Sequence, residues 1–366
     1  MLHRHRRLVS FGAALLLSLS VVGSSSAAPT ITVLKSGMNN PRGIDVAANG
    51  QLFVSETGAG RVLSRNAKGA WRTVLSGLPT LTSAEGATGA HGVAATGNGN
   101  AMVLIGEGSN LPDEDARFGT LVRVRPAGRQ VADIGAYQKT DPDPTDLDVP
   151  AFPTQSNPYG IALIGGGKAL VTDAGGNDLL LVHPNGRVQT VARFAPIMQT
   201  TSHLPPFIGV PPDITIPGEA VPTGVAVGPD GYWYVGQLAG FPFQPGASRI
   251  WRIDPKARGV TCTESATTGP CTVWATGFTS IVAIDFGPDG DLYVVEMVKS
   301  GVLNYFIGAD DVGALIRVDW RTKAWTEIAA GELTTPGGVS VARNGTIYVT
   351  NNSVSPTDGE VLRIRQ

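Results

Sequence analysis

Apolar and polar positions alternate along this chain in short runs, and the runs recur in register. Six times a small residue opens an alternating strand, a glycine turn follows, and a second, more continuously apolar strand comes after it. The copies open at Gly43-Ile44-Asp45-Val46, Gly92-Val93-Ala94-Ala95, Gly160-Ile161-Ala162-Leu163, Gly224-Val225-Ala226-Val227, Ala283-Ile284-Asp285-Phe286 and Gly338-Val339-Ser340-Val341. Each has a turn glycine seven positions on, at Gly50, Gly99, Gly167, Gly231, Gly290 and Gly345. Asn-Gly and Pro-Asp-Gly sequences at these turns suit tight hairpins, because glycine tolerates positive φ.

A third strand is predicted in every copy, over residues 61–64, 121–124, 179–182, 249–253, 314–318 and 360–364. A fourth is predicted over 73–76, 130–134, 188–193, 272–276 and 325–330, which supplies only five fourth strands for six copies. Residues 31–35 repeat the pattern of 73–76 and complete the set. The pattern therefore predicts an all-β, six-bladed β-propeller of four-stranded antiparallel blades, closed by the N-terminal strand completing the last blade. Closure of this kind removes long unpaired edges and joins the two ends of the chain.

The connections divide such a ring into two unequal rims. Turns between first and second strands, and between third and fourth, are short except near 254–271. On the opposite rim lie long connections at 79–90, 107–118, 136–157, 195–221, 239–247, 297–312 and 351–358. Long loops in a compact fold carry function or are disordered. Pro205-Pro206-Phe207-Ile208 and Phe241-Pro242-Phe243 argue for a packed canopy, and this rim is the expected binding face.

Residues 1–27 read as a secretory signal, with a basic start at 3–7, an apolar core at 11–22 and small residues up to cleavage after Ala27. No other apolar run is long enough to span a bilayer, so residues 28–366 are expected to be secreted, without membrane insertion, as a monomer. Loss of the signal leaves 25 basic against 30 acidic residues, a net charge of −5, which argues against nucleic acid as a partner. Cys262 and Cys271 are the only cysteines. In an exported chain they read as a disulfide that pins a local hairpin, with ligand or redox roles as alternatives.

The residue before each repeat's opening position stands at the mouth of the central channel: Arg42, His91, Tyr159, Thr223, Val282 and Gly337. A ring without a carboxylate differs from those of calcium-dependent propeller hydrolases of the regucalcin and paraoxonase kind, since a hard cation wants oxygen ligands. A guanidinium, an imidazole and a phenol suit an anionic or aromatic ligand. The expected ligand-binding set is Arg42, His91, Tyr159, Thr223, Phe241 and Phe243, with His91 as the one candidate catalytic base. The bland alternatives are that His91 is a satisfied rim residue and that Arg42 braces loop carbonyls. Six residues past the turn glycine, Glu56, Asp173, Gln237, Glu296 and Asn351 recur, with Ile105 in the second copy and Glu107 two further on. The expected role of that set is to accept backbone donors in the following turn. Asp141, Asp143, Asp146 and Asp148 share one loop that lacks the glycine and terminal glutamate of an EF-hand. A solvated acidic loop is the default reading there, and surface calcium the alternative. No serine-centred elbow, phosphate loop, dinucleotide fingerprint or zinc spacing occurs.

The stretches Asn40-Pro41-Arg42-Gly43, Ser156-Asn157-Pro158-Tyr159-Gly160, Asp173-Ala174-Gly175-Gly176-Asn177-Asp178, 236–243 and Asn351-Asn352-Ser353-Val354-Ser355-Pro356 resemble the ScyD/ScyE family. That family comprises exported bacterial proteins built from NHL-like propeller repeats, and the likeness runs over essentially all of residues 28–366. It implies the fold and export, and carries over no catalytic residue set. The 254–271 segment departs from it, being longer than the family's short turn. The expected function is a secreted binding protein for a small molecule, polymer or protein on the long-loop face. The alternatives are a structural module and a non-metal lyase or hydrolase acting on a small anionic or lactone substrate through His91 and Arg42.

Overall fold

A computed structural model describes residues 28–83, 86–107 and 115–366. The expected signal at 1–27 lies outside the described residues, as does part of the 107–118 connection. Six four-stranded antiparallel sheets stand in a ring, in the order the repeat predicts. Blade 1 runs Pro41–Val46, Leu52–Glu56, Arg61–Arg65, Trp71–Leu75. In blade 6, Gly338–Val341, Ile347–Asn351 and Gly359–Arg365 are joined by the N-terminal strand Thr30–Met38. That strand pairs Ile31 with Ile364 and Met38 with Gly359, so the ring closes where expected.

Second strands are buried along their whole length, and the reason is that both faces of each blade are covered. Phe53 packs with Val93 and Val103 of blade 2, while its neighbour Val54 packs with Met38 and Val361 of blade 6. The core is accordingly six apolar layers, one between each pair of neighbouring blades.

Around the channel the blades meet backbone to backbone. A Cβ on Gly43 would stand 2.4 Å from the carbonyl oxygen of His91, on Gly92 2.6 Å from that of Tyr159, on Gly160 2.1 Å from that of Thr223, and on Gly338 2.4 Å from that of Arg42. The opening glycine is thus a packing requirement. Hydroxyls fasten the same seams: Thr172 Oγ1 donates to the Thr223 carbonyl (2.6 Å), Thr350 Oγ1 to that of Arg42 (2.7 Å), and Ser55 Oγ to that of His91.

The 254–271 segment departs from expectation. Val260–Cys262 adds to blade 3 as a fifth strand, parallel to Val188–Phe194, and Cys262 is bonded to Cys271 at the start of the outer strand Cys271–Phe278 of blade 4. The disulfide therefore does more than pin a local hairpin. It clasps the outer edges of two blades, and both cysteines are buried with Phe194, Trp251 and Ile253.

Several long connections carry structure of their own. Leu81–Ser83 pairs with Gly86–Thr88, Ile197–Thr200 pairs with Thr215–Gly218, and short helices occupy Ile134–Gln138 and Val302–Phe306. The canopy is packed, as Gln199 shows by donating to the Gly240 carbonyl (3.1 Å) and accepting from the Gln244 amide (2.9 Å).

Gly160→Ala is expected to cost more than about 3 kcal/mol, because backbone must move to admit the methyl group. The variant is expected to melt at least several degrees lower, whereas Gly165→Ala, with open space at its Cβ, leaves calorimetric stability near wild type. Paired Cys262→Ser and Cys271→Ser substitution should lower stability by about 2–3 kcal/mol. It should also speed hydrogen exchange along Val188–Phe194, a readout that a bridge confined to its own hairpin would not move.

Candidate functional site

Arg42, His91, Tyr159, Thr223, Val282 and Gly337 line one cavity at the mouth of the channel, on the long-loop side. Their convergence follows from the seams, since the carbonyls of the first four are those seated over neighbouring glycines or fastened by hydroxyls. The cavity measures about 70 Å³ and is open to solvent. That is room for a carboxylate or a few waters, well short of the 300 Å³ or more usual for a small-molecule pocket. Any larger ligand must extend upward among the loops.

Arg42 is the chemically distinctive member. One terminal nitrogen donates to the Ala87 carbonyl (2.9 Å) of the 81–88 hairpin, and the other approaches the Tyr159 hydroxyl (3.5 Å), with the guanidinium 5.9 Å from the centre of that ring. Its Nε is buried without a partner, and no carboxylate pairs with it among the described residues. It braces a loop and still leaves positive charge uncompensated.

His91 is placed differently from a working base. It is 2% exposed, its Nδ1 lies 3.3 Å from the Pro158 carbonyl and its Nε2 3.3 Å from Thr88 Oγ1. Burial, with the charge of Arg42 second, pushes its pKa down to about 3. The imidazole is neutral, donating from Nδ1 and accepting at Nε2, and packs 5.0 Å from the Tyr159 ring. Thr223 spends its hydroxyl on the carbonyls of Ile281 (2.7 Å) and Gly236 (3.2 Å). Phe241 and Phe243 contribute nothing to the lining. They form an edge-to-face pair in the canopy, Phe243 in turn touching Phe306.

The second recurring set is structural, with a change of partner. Glu56 accepts from the amide of Asn39 (2.8 Å), Glu296 from that of Thr279 (2.6 Å) and Asn351 from that of Thr334 (2.9 Å), all in segments preceding first strands. Gln237 accepts from Trp251 Nε1 (2.5 Å). Only Asp173 serves the following turn, through the amides of Gly175 and Gly176 (both 3.1 Å). The difference arises because the second strand's end lies beside the chain entering the same blade. Ile105 is buried in the layer between blades 1 and 2, and Glu107 takes the Asn157 side-chain carbonyl with its amide (3.2 Å).

The acidic loop divides. Asp141 pairs with Arg193, and Asp143 accepts from Asn177 Nδ2 (3.0 Å) and Thr145. Asp146 and Asp148 instead meet Glu219, from the connection before blade 4, with one oxygen of each within 4.8 Å of the others. Glu219 stands too far along the chain for the loop's own spacing to reveal it.

Two carboxylates escaped the ring reading. Asp45 and Asp285 line a second cavity of about 330 Å³ lower in the channel, flanking Ser340. Asp45 accepts from the amide of Ala95 (2.6 Å) and from Ser340 Oγ (3.2 Å), and Asp285 from those of Val341 (2.7 Å) and Phe286 (2.8 Å). They stitch blade 1 to blade 2 and blade 5 to blade 6. Their signal was visible in Gly43-Ile44-Asp45-Val46 and Ala283-Ile284-Asp285-Phe286, where charge occupies a position filled by alanine in three other copies.

Fold and site together define an all-β propeller with a narrow cationic mouth. Solved structures share the fold at low identity. The PQQ-bound aldose sugar dehydrogenase of Streptomyces coelicolor aligns over 93% of this chain and 99% of its own, with TM-score 0.54 and 14% identity. A gluconolactonase of Xanthomonas campestris, XC5397, aligns over 91% and 88%, with TM-score 0.55 and 12% identity. A Thermus protein titled a putative glucose dehydrogenase aligns over 92% and 100%, with TM-score 0.54 and 18% identity. No protein-family model matches the sequence, and no curated protein matches it.

Burial raises Asp285 to about 7, the charge of Asp45 adding to the rise while the amides of Val341 and Phe286 oppose it. Because the folded value exceeds the unfolded one near 3.8, the native state keeps a proton that the unfolded chain releases. The stabilisation is full below pH 4 and is lost as pH rises through 7. Asp285→Asn is expected to flatten the fall of Tm between pH 4 and pH 8, removing on the order of 2 kcal/mol of pH dependence. Calorimetry across that range checks it, an unchanged slope being the contrary result.

Proposed function

We propose that this protein is an exported binding propeller that takes the anionic group of a small molecule at the channel mouth, between Arg42 and Tyr159, with the rest of the ligand under the loop canopy. The single observation carrying this reading is the recessed Arg42 guanidinium, whose Nε lacks a partner and whose charge no described carboxylate meets. A guanidinium recognises carboxylate or phosphate through paired N–H donors, and desolvation at a recessed mouth strengthens the contact. The loop stretches resembling the ScyD/ScyE family support export and membership in that group, as does the signal-like segment at 1–27.

A second reading, a hydrolase or lyase using His91 and Arg42, draws support from the sugar dehydrogenase and gluconolactonase titles among the fold neighbours. The imidazole lends it less, being buried, engaged at both nitrogens and too weak a base near pKa 3 to take a proton efficiently at neutral pH.

Thermal-shift titration with a panel of sugar acids and aromatic carboxylates is expected to find ligands that raise Tm. Arg42→Ala should weaken them at least about tenfold, in line with the loss of a charge-assisted hydrogen bond. Equal affinity in wild type and Arg42→Ala would sink the binding reading. Turnover of a lactone that disappears in His91→Ala would favour the second.

A further inference from the structure

The rim opposite the canopy, plain in its turn lengths, is polarised in charge. Turns 47–51 and 65–72 of blade 1, 97–100 and 123–130 of blade 2, 164–168 and 182–188 of blade 3, and 341–347 of blade 6 hold nine Lys and Arg and not one Asp or Glu. Blades 6, 1, 2 and 3 are consecutive, so these turns form one continuous arc. The remaining two blades behave otherwise. Asp230 neutralises Arg252, and Asp289 and Asp291 neutralise Arg317, and these are the ion pairs of this rim among the described residues. A chain acidic overall has thus placed an unpaired basic arc on half of one face.

The arc contains a built concavity. Between blades 2 and 3 a hollow of about 360 Å³ is lined by Arg123, Arg125, Arg129, Pro184 and Asn185. Three guanidiniums around one hollow repel one another, and no carboxylate of the described residues relieves them. Beyond them, Arg187 and Lys168 extend the positive field, strongly enough to depress His183 beside them, whose burial contributes first. Such clustering concentrates oxyanions at a surface and steers charged partners to it.

What the arc lacks selects the partner. None of the exposed large apolar side chains among the described residues lies in these turns, so there is no wedge for a lipid surface and no stacking platform for bases. A flexible polyanion that needs neither remains. We propose that the basic arc of blades 6, 1, 2 and 3 binds an anionic glycan, with sulfate or carboxylate groups taken by Arg123, Arg125 and Arg129. This surface lies on the face away from the channel mouth, so its success or failure is independent of the reading given for Arg42.

The test uses the protein spanning residues 28–366 with heparin and polygalacturonate as probes. Retention on immobilised heparin at low ionic strength is expected, with affinity falling steeply as salt rises. Combined Arg123→Ala, Arg125→Ala and Arg129→Ala should weaken binding at least about tenfold and flatten the salt dependence. The corresponding triple lysine variant should recover most of the affinity, and Arg321→Ala on blade 5 should leave it unchanged. Binding to polygalacturonate as tight as to heparin would assign carboxylates as well as sulfates to the site. Undiminished binding by a folded triple alanine variant would overturn the proposal. So would no retention at low salt, or tighter binding to duplex DNA or phosphatidylserine vesicles than to either glycan.

Discussion

The structure depends on one close approach, repeated around the channel: the carbonyl of a ring residue seated where the Cβ of the preceding blade's opening residue would lie. Radial contact at this distance leaves no tolerance for a side chain, so the repeat must open on glycine wherever the approach is tightest. It also fixes the angular spacing of the blades, and through that the thickness of the apolar layers filled by pairs such as Phe53 and Val103. Ser55, Thr172 and Thr350 then turn steric fit into direction, each donating to the next blade's carbonyl. Because those carbonyls belong to the ring residues, the contact that builds the fold also aims the side chains of Arg42, His91 and Tyr159 at one point.

This coupling explains why the channel mouth is small and what chemistry it retains. A ring drawn tight by backbone contacts leaves about 70 Å³. Within it His91 and Thr223 are consumed by hydrogen bonds to neighbouring blades, and only Arg42 keeps unspent capacity. Lower in the channel, Asp45 and Asp285 have the same seam-stitching role, at the cost of burying carboxylates that would otherwise be ionised.

The fold was legible because its period is written in glycine. An opening glycine and a turn glycine at a fixed offset mark every blade but the fifth, where Ala283 opens the copy, and the count of outer strands revealed the closure. The gathering of Arg42, His91 and Tyr159 was legible for the same reason, since ring positions follow from the repeat. Their availability was not. That His91 would be buried between Pro158 and Thr88 depends on a hairpin at 81–88 whose pairing no period announces. The meeting of Glu219 with Asp146 and Asp148, and the addition of Val260–Cys262 to blade 3, are likewise contacts between irregular segments. Sequence spacing says little about those, because tertiary packing alone brings them together.

Closure by Thr30–Met38 against Gly359–Arg365 has a consequence in time. The first strand of the chain has no sheet to join until the last has been made and folded, so the N-terminal segment waits through synthesis of some 320 residues. Each earlier blade can form from local contacts, whereas the sixth requires the longest loop in the molecule to close, which places it among the latest events of assembly. For a chain that must cross a membrane unthreaded, such a latch defers commitment: the ring remains open, and the polypeptide translocatable, until its two ends are on the same side.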